Sequence, residues 1–243
     1  MRWLKTALLL ANILAGPANA AWRKAESAHF RVYANLSADA LRQRVKLLED
    51  YRNLLGLFTT GKVEDDAPKL PIYIVDDIAR TAPFGKVDPA LAGFYSASDD
   101  GLAAFSTKGA FGQKVLLHEY AHHHMFAAST QAYPAWYVEG FADFFMTAQF
   151  FPKQVDFGQV DPNNAYVLTM PWLKWDRVIG RDGTKLRGNN VFLFYAQSWL
   201  LTHYMFRAPG MSEKLTLYLN AVASGTDQLE AFRTHVLSDT SRL

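Results

Sequence analysis

The chain contains no cysteine. That excludes a disulfide scaffold, a thiolate metal site and a cysteine nucleophile. Any bound metal must therefore be held by His, Asp or Glu, and any covalent nucleophile would be Ser, Thr, Lys, Asp or Glu. An excess of charge is missing too: 25 Lys+Arg stand against 23 Asp+Glu in 243 residues, without basic clusters. This argues against nucleic-acid binding by simple electrostatics. No apolar run reaches the roughly 20 residues that a spanning helix needs, and there are no repeats, low-complexity tracts or long linkers to divide the chain. Hydrophobic residues are plentiful, at 50% against 20% charged. That balance excludes intrinsic disorder, and the length suffices to bury a substantial core.

The first twenty residues read as a targeting segment. Arg2 and Lys5 make a short basic region, Ala7 to Ala15 is mostly apolar, Gly16 and Pro17 break a helix, and Ala18-Asn19-Ala20 offers an A-x-A cleavage site before Ala21. The expectation is an exported protein, periplasmic or secreted, with residues 21–243 forming a single domain. Cleavage would remove two basic groups and no acid, leaving equal numbers of each sign.

Along the rest of the chain, Trp22 to Asn35 alternates and predicts one strand. Ser37 offers an N-cap to a helix with Leu41, Val45, Leu48, Tyr51 and Leu55 on one face, widened by Leu47 and Leu54. Leu70 to Val75 predicts a second strand, and Asp76 to Pro89 a loop. Gly93–Ser96 and Leu102–Ser106 flank Asp99-Asp100-Gly101, a hairpin signal. From Gly112 the period becomes helical: helices are predicted over Gln113–Ala128, Ala135–Gln149 (opened by Pro134), Val191–Phe206, Met211–Val222 and Asp227–Leu237. Asp227 and Glu230 have the spacing of a capping box. Pro152 to Asn190 is mixed, with an apolar patch at Met170–Leu173. Strands first and helices after predict an α+β fold, an N-terminal mixed sheet leading into a helical half.

Chemistry concentrates in two of those helices. His118-Glu119-Tyr120-Ala121-His122 is an H-E-x-x-H motif. Spacing of four puts both imidazoles on one helix face, where two nitrogens can hold one Zn²⁺. Glu119 lies round the helix from them, within reach of an attacking water without being a ligand. The following helix carries Glu139 and Asp143, four apart among large apolar residues. Buried carboxylates need partners: a zinc ion for Glu139 and an imidazole N–H for Asp143 would supply them. Two His and one Glu, with the fourth position left to water, is the catalytic rather than the structural pattern for zinc, and Asp143 would fix the tautomer of a ligand histidine. His123 and His124 rotate off the metal face and are expected to support the site or lie on the surface. His29, His203 and His235 are expected to be structural, and Trp136, Tyr137, Phe141, Phe144 and Phe145 mostly core.

His118-Glu119-x-x-His122, sixteen intervening residues and Glu139-x-x-x-Asp143 resemble the gluzincin metallopeptidases, thermolysin among them. The phrasing Pro134-x-Trp136-x-x-Glu139-Gly140-x-Ala142-Asp143 is most similar to the bacterial peptidase MA-like domains. The resemblance covers roughly Gly93 to Phe206, and Ser27-x-His29-Phe30-x-Val32 with the helix after it also looks like those domains. It implies a gluzincin-like sheet whose edge strand runs beside the cleft, a place the Gly93–Ser106 hairpin suits, where an extended peptide adds by backbone hydrogen bonds. It further implies a downstream donor to the oxyanion, for which Tyr195, His203 and Tyr204 are candidates, Tyr195 matching best. Two features depart from the pattern: the spacing to Glu139 is slightly short for thermolysin, and no exopeptidase-type G-x-M-E-N segment precedes the zinc helix.

The expected activity is hydrolysis of peptide bonds in a peptide or protein substrate, with Zn²⁺ on His118, His122 and Glu139, Glu119 as general base and Tyr195 as oxyanion donor. The alternatives are another zinc hydrolase on the same residues, or a non-catalytic domain binding peptide or cell-envelope partners. The intact Glu119 favours an enzyme.

Overall fold

The computed structural model describes residues 22–59, 61, 67–81, 92–98, 101–129, 131–180 and 186–243. The expected leader and the turn residues Asp99 and Asp100 lie outside these.

The N-terminal half is a five-stranded mixed sheet: β1 (Arg23–Glu26), β2 (Phe30–Ala34), β3 (Leu70–Val75), β4 (Gly93–Ser98) and β5 (Gly101–Thr107), in the order β1-β2-β3-β5-β4. β2, β3 and β5 are parallel; β1 and β4 are antiparallel edge strands. The single strand expected over Trp22–Asn35 is in fact two. The chain folds back at Ser27–His29, where Ser27 N donates to Phe30 O and His29 N donates to Glu49 Oε1. No Gly or Pro marks that turn, so the alternation reads through it. The expected hairpin is present as β4–β5.

Side chains of period two divide the sheet. Phe30, Val32, Ala34, Leu70, Ile72, Ile74 and Ala104 point inward and are buried. Helix α1 (Ala38–Gly56) covers them with Leu41, Val45, Leu48, Tyr51 and Leu55; Ser37 Oγ caps it by accepting from Ala40 N. The opposite face carries a row of rings in register across four strands. Tyr33 stacks on Tyr73 at 5.0 Å, Tyr73 on Phe105 at 5.1 Å, and Phe105 on Phe94 at 4.9 Å, all within 16° of parallel. The short α2 (Ile78–Thr81), inside the segment expected to be loop, seats Ile78 against Val75 and Phe105 on that side.

The helical half comprises α3 (Ala110–Ala128), α4 (Ala135–Phe145), α5 (Pro162–Val167), α6 (Trp175–Ile179), α7 (Asn189–Arg207), α8 (Met211–Ala223) and α9 (Gln228–His235). α4 ends four residues before the expected Gln149, where the chain turns into a small hairpin, β6 (Gln149–Phe151) and β7 (Gln154–Asp156). α5 and α6 lie in the segment expected to be irregular. Asp227 caps α9 from both Leu229 N and Glu230 N. α3 packs under the sheet through Leu116, Leu117, Tyr120 and Met125, with Tyr120 5.1 Å from Phe30. α4 is buried on most sides: Trp136, Tyr137, Phe141, Phe144 and Phe145 are all core, and Trp136 Nε1 donates to Tyr218 Oη at 3.0 Å. The result is an α+β fold, sheet first and helices after. Among the described residues no helix is long and apolar enough to cross a membrane.

Candidate metal centre

α3 and α4 cross so that His118, His122 and Glu139 meet. His118 Nε2 and His122 Nε2 are 3.0 Å apart, and Glu139 Oε2 lies 3.5 Å from the first and 3.4 Å from the second. Three donors bound at 2.0–2.1 Å in tetrahedral directions would be spaced about 3.3 Å from one another, so this triangle has the right size for one small cation. All three side chains are largely buried, and Glu139 Oε2 has no hydrogen-bond partner among the described residues. A buried carboxylate oxygen facing two ring nitrogens could be satisfied by a cation between them. No other trio of His, Asp or Glu donors among the described residues converges in this way.

Asp143, one helical turn beyond Glu139, is 5% exposed. Its Oδ1 accepts from His118 Nδ1 at 2.9 Å, so that a neutral His118 would present the Nε2 lone pair to the cluster. Its Oδ2 accepts from Asn164 Nδ2 at 3.0 Å. Asn164 belongs to α5, whose N-cap Asp161 accepts from Asn163 N and is paired with Lys114 of α3. Nothing in the sequence pattern points to Asn164; the only signal is the Asp161-Pro162 helix start two residues before it. His122 has no such support, since its Nδ1 is buried without a partner among the described residues. Its polar contacts are all at Nε2, with His118 and Glu139.

The electrostatics follow from this crowding. Burial disfavours a charged His118, but the Asp143 and Glu139 carboxylates outweigh it and push the imidazole up to about 10. Burial likewise opposes ionisation of Glu139, yet the facing imidazoles hold it at about 2. Without a cation the cluster is a compact ion pair.

Glu119 is half-buried on α3, next to His118. Of the three expected oxyanion donors only Tyr195 adjoins the cluster, its ring centroid 6.3 Å from that of His118. His203 packs on Trp199 and Phe144, and Tyr204 is 42% exposed beside Trp172 and Trp175. Gly140 is what brings α7 this close to α4: a Cβ there would sit 2.2 Å from Thr202 Oγ1 and 2.3 Å from Ser198 O. His123 and His124 are not surface residues. His123 Nδ1 is bonded to Tyr95 Oη at 2.8 Å. His124 is 3% exposed and bonded to Thr59 Oγ1, and burial, with Arg52 nearby, lowers it to about 4. Neither faces the cluster. His29 pairs with Glu49 at 2.7 Å, as a structural histidine would.

Comparison of the chain with known protein families, characterised proteins and solved structures found no match.

Proposed function

We propose that the protein is a zinc-dependent metallopeptidase of the gluzincin type, acting on peptides or unfolded protein. One observation carries the reading: His118, His122 and Glu139 form a cation-sized triangle that includes a buried, unbonded carboxylate oxygen, with His118 backed by Asp143. Two imidazoles and one carboxylate suit Zn²⁺ and leave a fourth position for chemistry. When bound there, zinc would polarise a carbonyl and acidify a water towards a pKa of roughly 7.

The remaining work belongs to the chain. Glu119, next to the first ligand but outside the triangle, accepts the proton of the attacking water and passes it to the leaving amine. Tyr195 donates its hydroxyl to the oxygen that becomes negative as the carbonyl is attacked. Asp143 and Asn164 keep His118 in the tautomer that binds. β4 lies at the edge of the sheet, with one side unpaired among the described residues, and takes the substrate as an added strand.

The test is cleavage of unfolded casein by zinc-loaded protein. Chelator should abolish cleavage and zinc restore it. Glu119→Gln should keep zinc while losing two to four orders of magnitude in rate, about what a general base contributes. Zinc-saturated wild type that leaves casein intact would overturn the peptidase reading, and so would a Glu119→Gln variant as active as wild type.

A further inference from the structure

We propose that Tyr95 and His123 form a positioning pair that sets the height of the edge strand over the metal helix and so controls how tightly an extended chain is held. The inference rests on the reading above in one respect, that β4 is the strand to which the peptide adds.

The geometry is specific. β4 pairs with β5 on one side only. Its alternate residues Gly93 and Tyr95 oppose Ser106 and Ala104 of β5, both buried, on the face turned to α3. At Gly93 strand and helix nearly touch, since a Cβ there would lie 2.8 Å from Val115 Cγ1. Tyr95 reaches further along α3. Its ring lies 5.2 Å from that of His123, and its hydroxyl is joined to His123 Nδ1 at 2.8 Å. His123 directly follows the ligand His122, and its ring also rests on Tyr120, 5.6 Å away in the core. The bond therefore links the outermost strand to the helix turn that holds the metal. A hydrogen bond does not prevent sliding by itself, but this one joins two groups whose own positions are set by packing. Without it the strand beyond Gly93 keeps its ladder with β5 and the stack of Phe94 on Phe105 but loses its hydrogen bond to α3.

The experiment measures binding apart from turnover. In a zinc-loaded Glu119→Gln background, fluorescein-labelled unfolded casein is titrated by anisotropy. Tyr95→Phe keeps the ring and should weaken binding about tenfold, the upper range for one neutral hydrogen bond, with zinc content and thermal midpoint retained. His123→Leu should cost the same, and the double variant no more than either. His123→Gln, which can still bond the phenol, should bind nearly as the parent does. In the active protein Tyr95→Phe should raise KM by a similar factor with a much smaller change in kcat. Undiminished binding by Tyr95→Phe overturns the pair, as does a double variant whose loss is the product of the two single losses. Chelator-sensitive hydrolysis with no Tyr95 effect removes the pair and leaves the peptidase reading standing. A Tyr95 effect on binding without hydrolysis by wild type does the reverse. A parent that binds no casein overturns both.

Discussion

Replacing Asp143 by Asn should change the number of protons released when zinc binds. In the metal-free protein His118 is held at about 10 by the Asp143 and Glu139 carboxylates. At pH 8 such a group is about 99% protonated, whereas an imidazole at its ordinary 6.5 would be about 3% protonated. Zinc needs the lone pair of His118 Nε2, so in the wild type binding must expel close to one proton from this residue. Asp143→Asn keeps the shape but removes the charge that His118 Nδ1 meets at 2.9 Å. Its single carbonyl oxygen can accept from His118 or from Asn164, but not fully from both. Glu139 still raises His118 in the variant, so the proton released by His118 should fall by the share that Asp143 supplies, and the variant should release fewer protons than the wild type at pH 8, by at most about one. The sign is fixed: a raised pKa means protons compete with metal, and apparent affinity in the wild type rises about tenfold per pH unit until pH approaches about 10. Calorimetric titration with zinc in buffers of different ionisation enthalpy gives the proton count directly. The difference between variant and wild type is the quantity to read, because other groups that ionise on binding do so in both. Equal counts would refute the electrostatic account of the Asp143–His118 contact, whatever the effect on affinity.

Three further outcomes follow from the same geometry. Metal-free protein should be most stabilised by this cluster between about pH 4.5 and 6.5: the His118 contribution is lost as pH rises through about 10, that of Glu139 as pH falls through about 2, and calorimetry with chelator should show Glu139→Gln with a flatter acid limb. Tyr195→Phe should lower kcat about 10²–10³-fold with zinc retained, while Tyr204→Phe, at an exposed position, should leave turnover near wild type; a phenol-free variant with full turnover would remove Tyr195 from the mechanism. Gly140→Ala should lower stability by about 1–3 kcal/mol, because the added methyl must displace Ser198 and Thr202 of α7; an unchanged thermal midpoint would show that the two helices can part freely.

The cluster of His118, His122 and Glu139, with Asp143 behind it, was legible because each half of it lies within one helix. The spacings 118–122 and 139–143 state which side chains share a face, and the apolar neighbours of Glu139 state that the face is inside. Asn164 was not legible, because its contact with Asp143 joins residues 21 apart through a six-residue helix with no periodicity to read. The inward placement of His123 and His124 escaped for a related reason. Helical rotation takes them off the metal face, but what waits on the other side, Tyr95 on a strand and Thr59 past the end of α1, is set by tertiary packing. The early end of α4 was hidden because burial runs past it, from Phe144 and Phe145 at its last positions to Ala148 beyond its end, so the apolar pattern continues through the turn.

The stacked row Tyr33–Tyr73–Phe105–Phe94 has a consequence for how freely the β4–β5 connection can vary. Phe94 is keyed to the ring row on one face of the sheet, and its neighbour Tyr95 to His123 on the other. Sliding β4 by one residue would exchange the two faces and break both attachments; sliding it by two would carry Phe94 past Phe105 and Tyr95 past Ala104. The alignment of the strand is thus set from its two faces and not by the short link to β5. Extra residues spliced between Ser98 and Gly101 should therefore leave Phe94 on Phe105 and Tyr95 over His123.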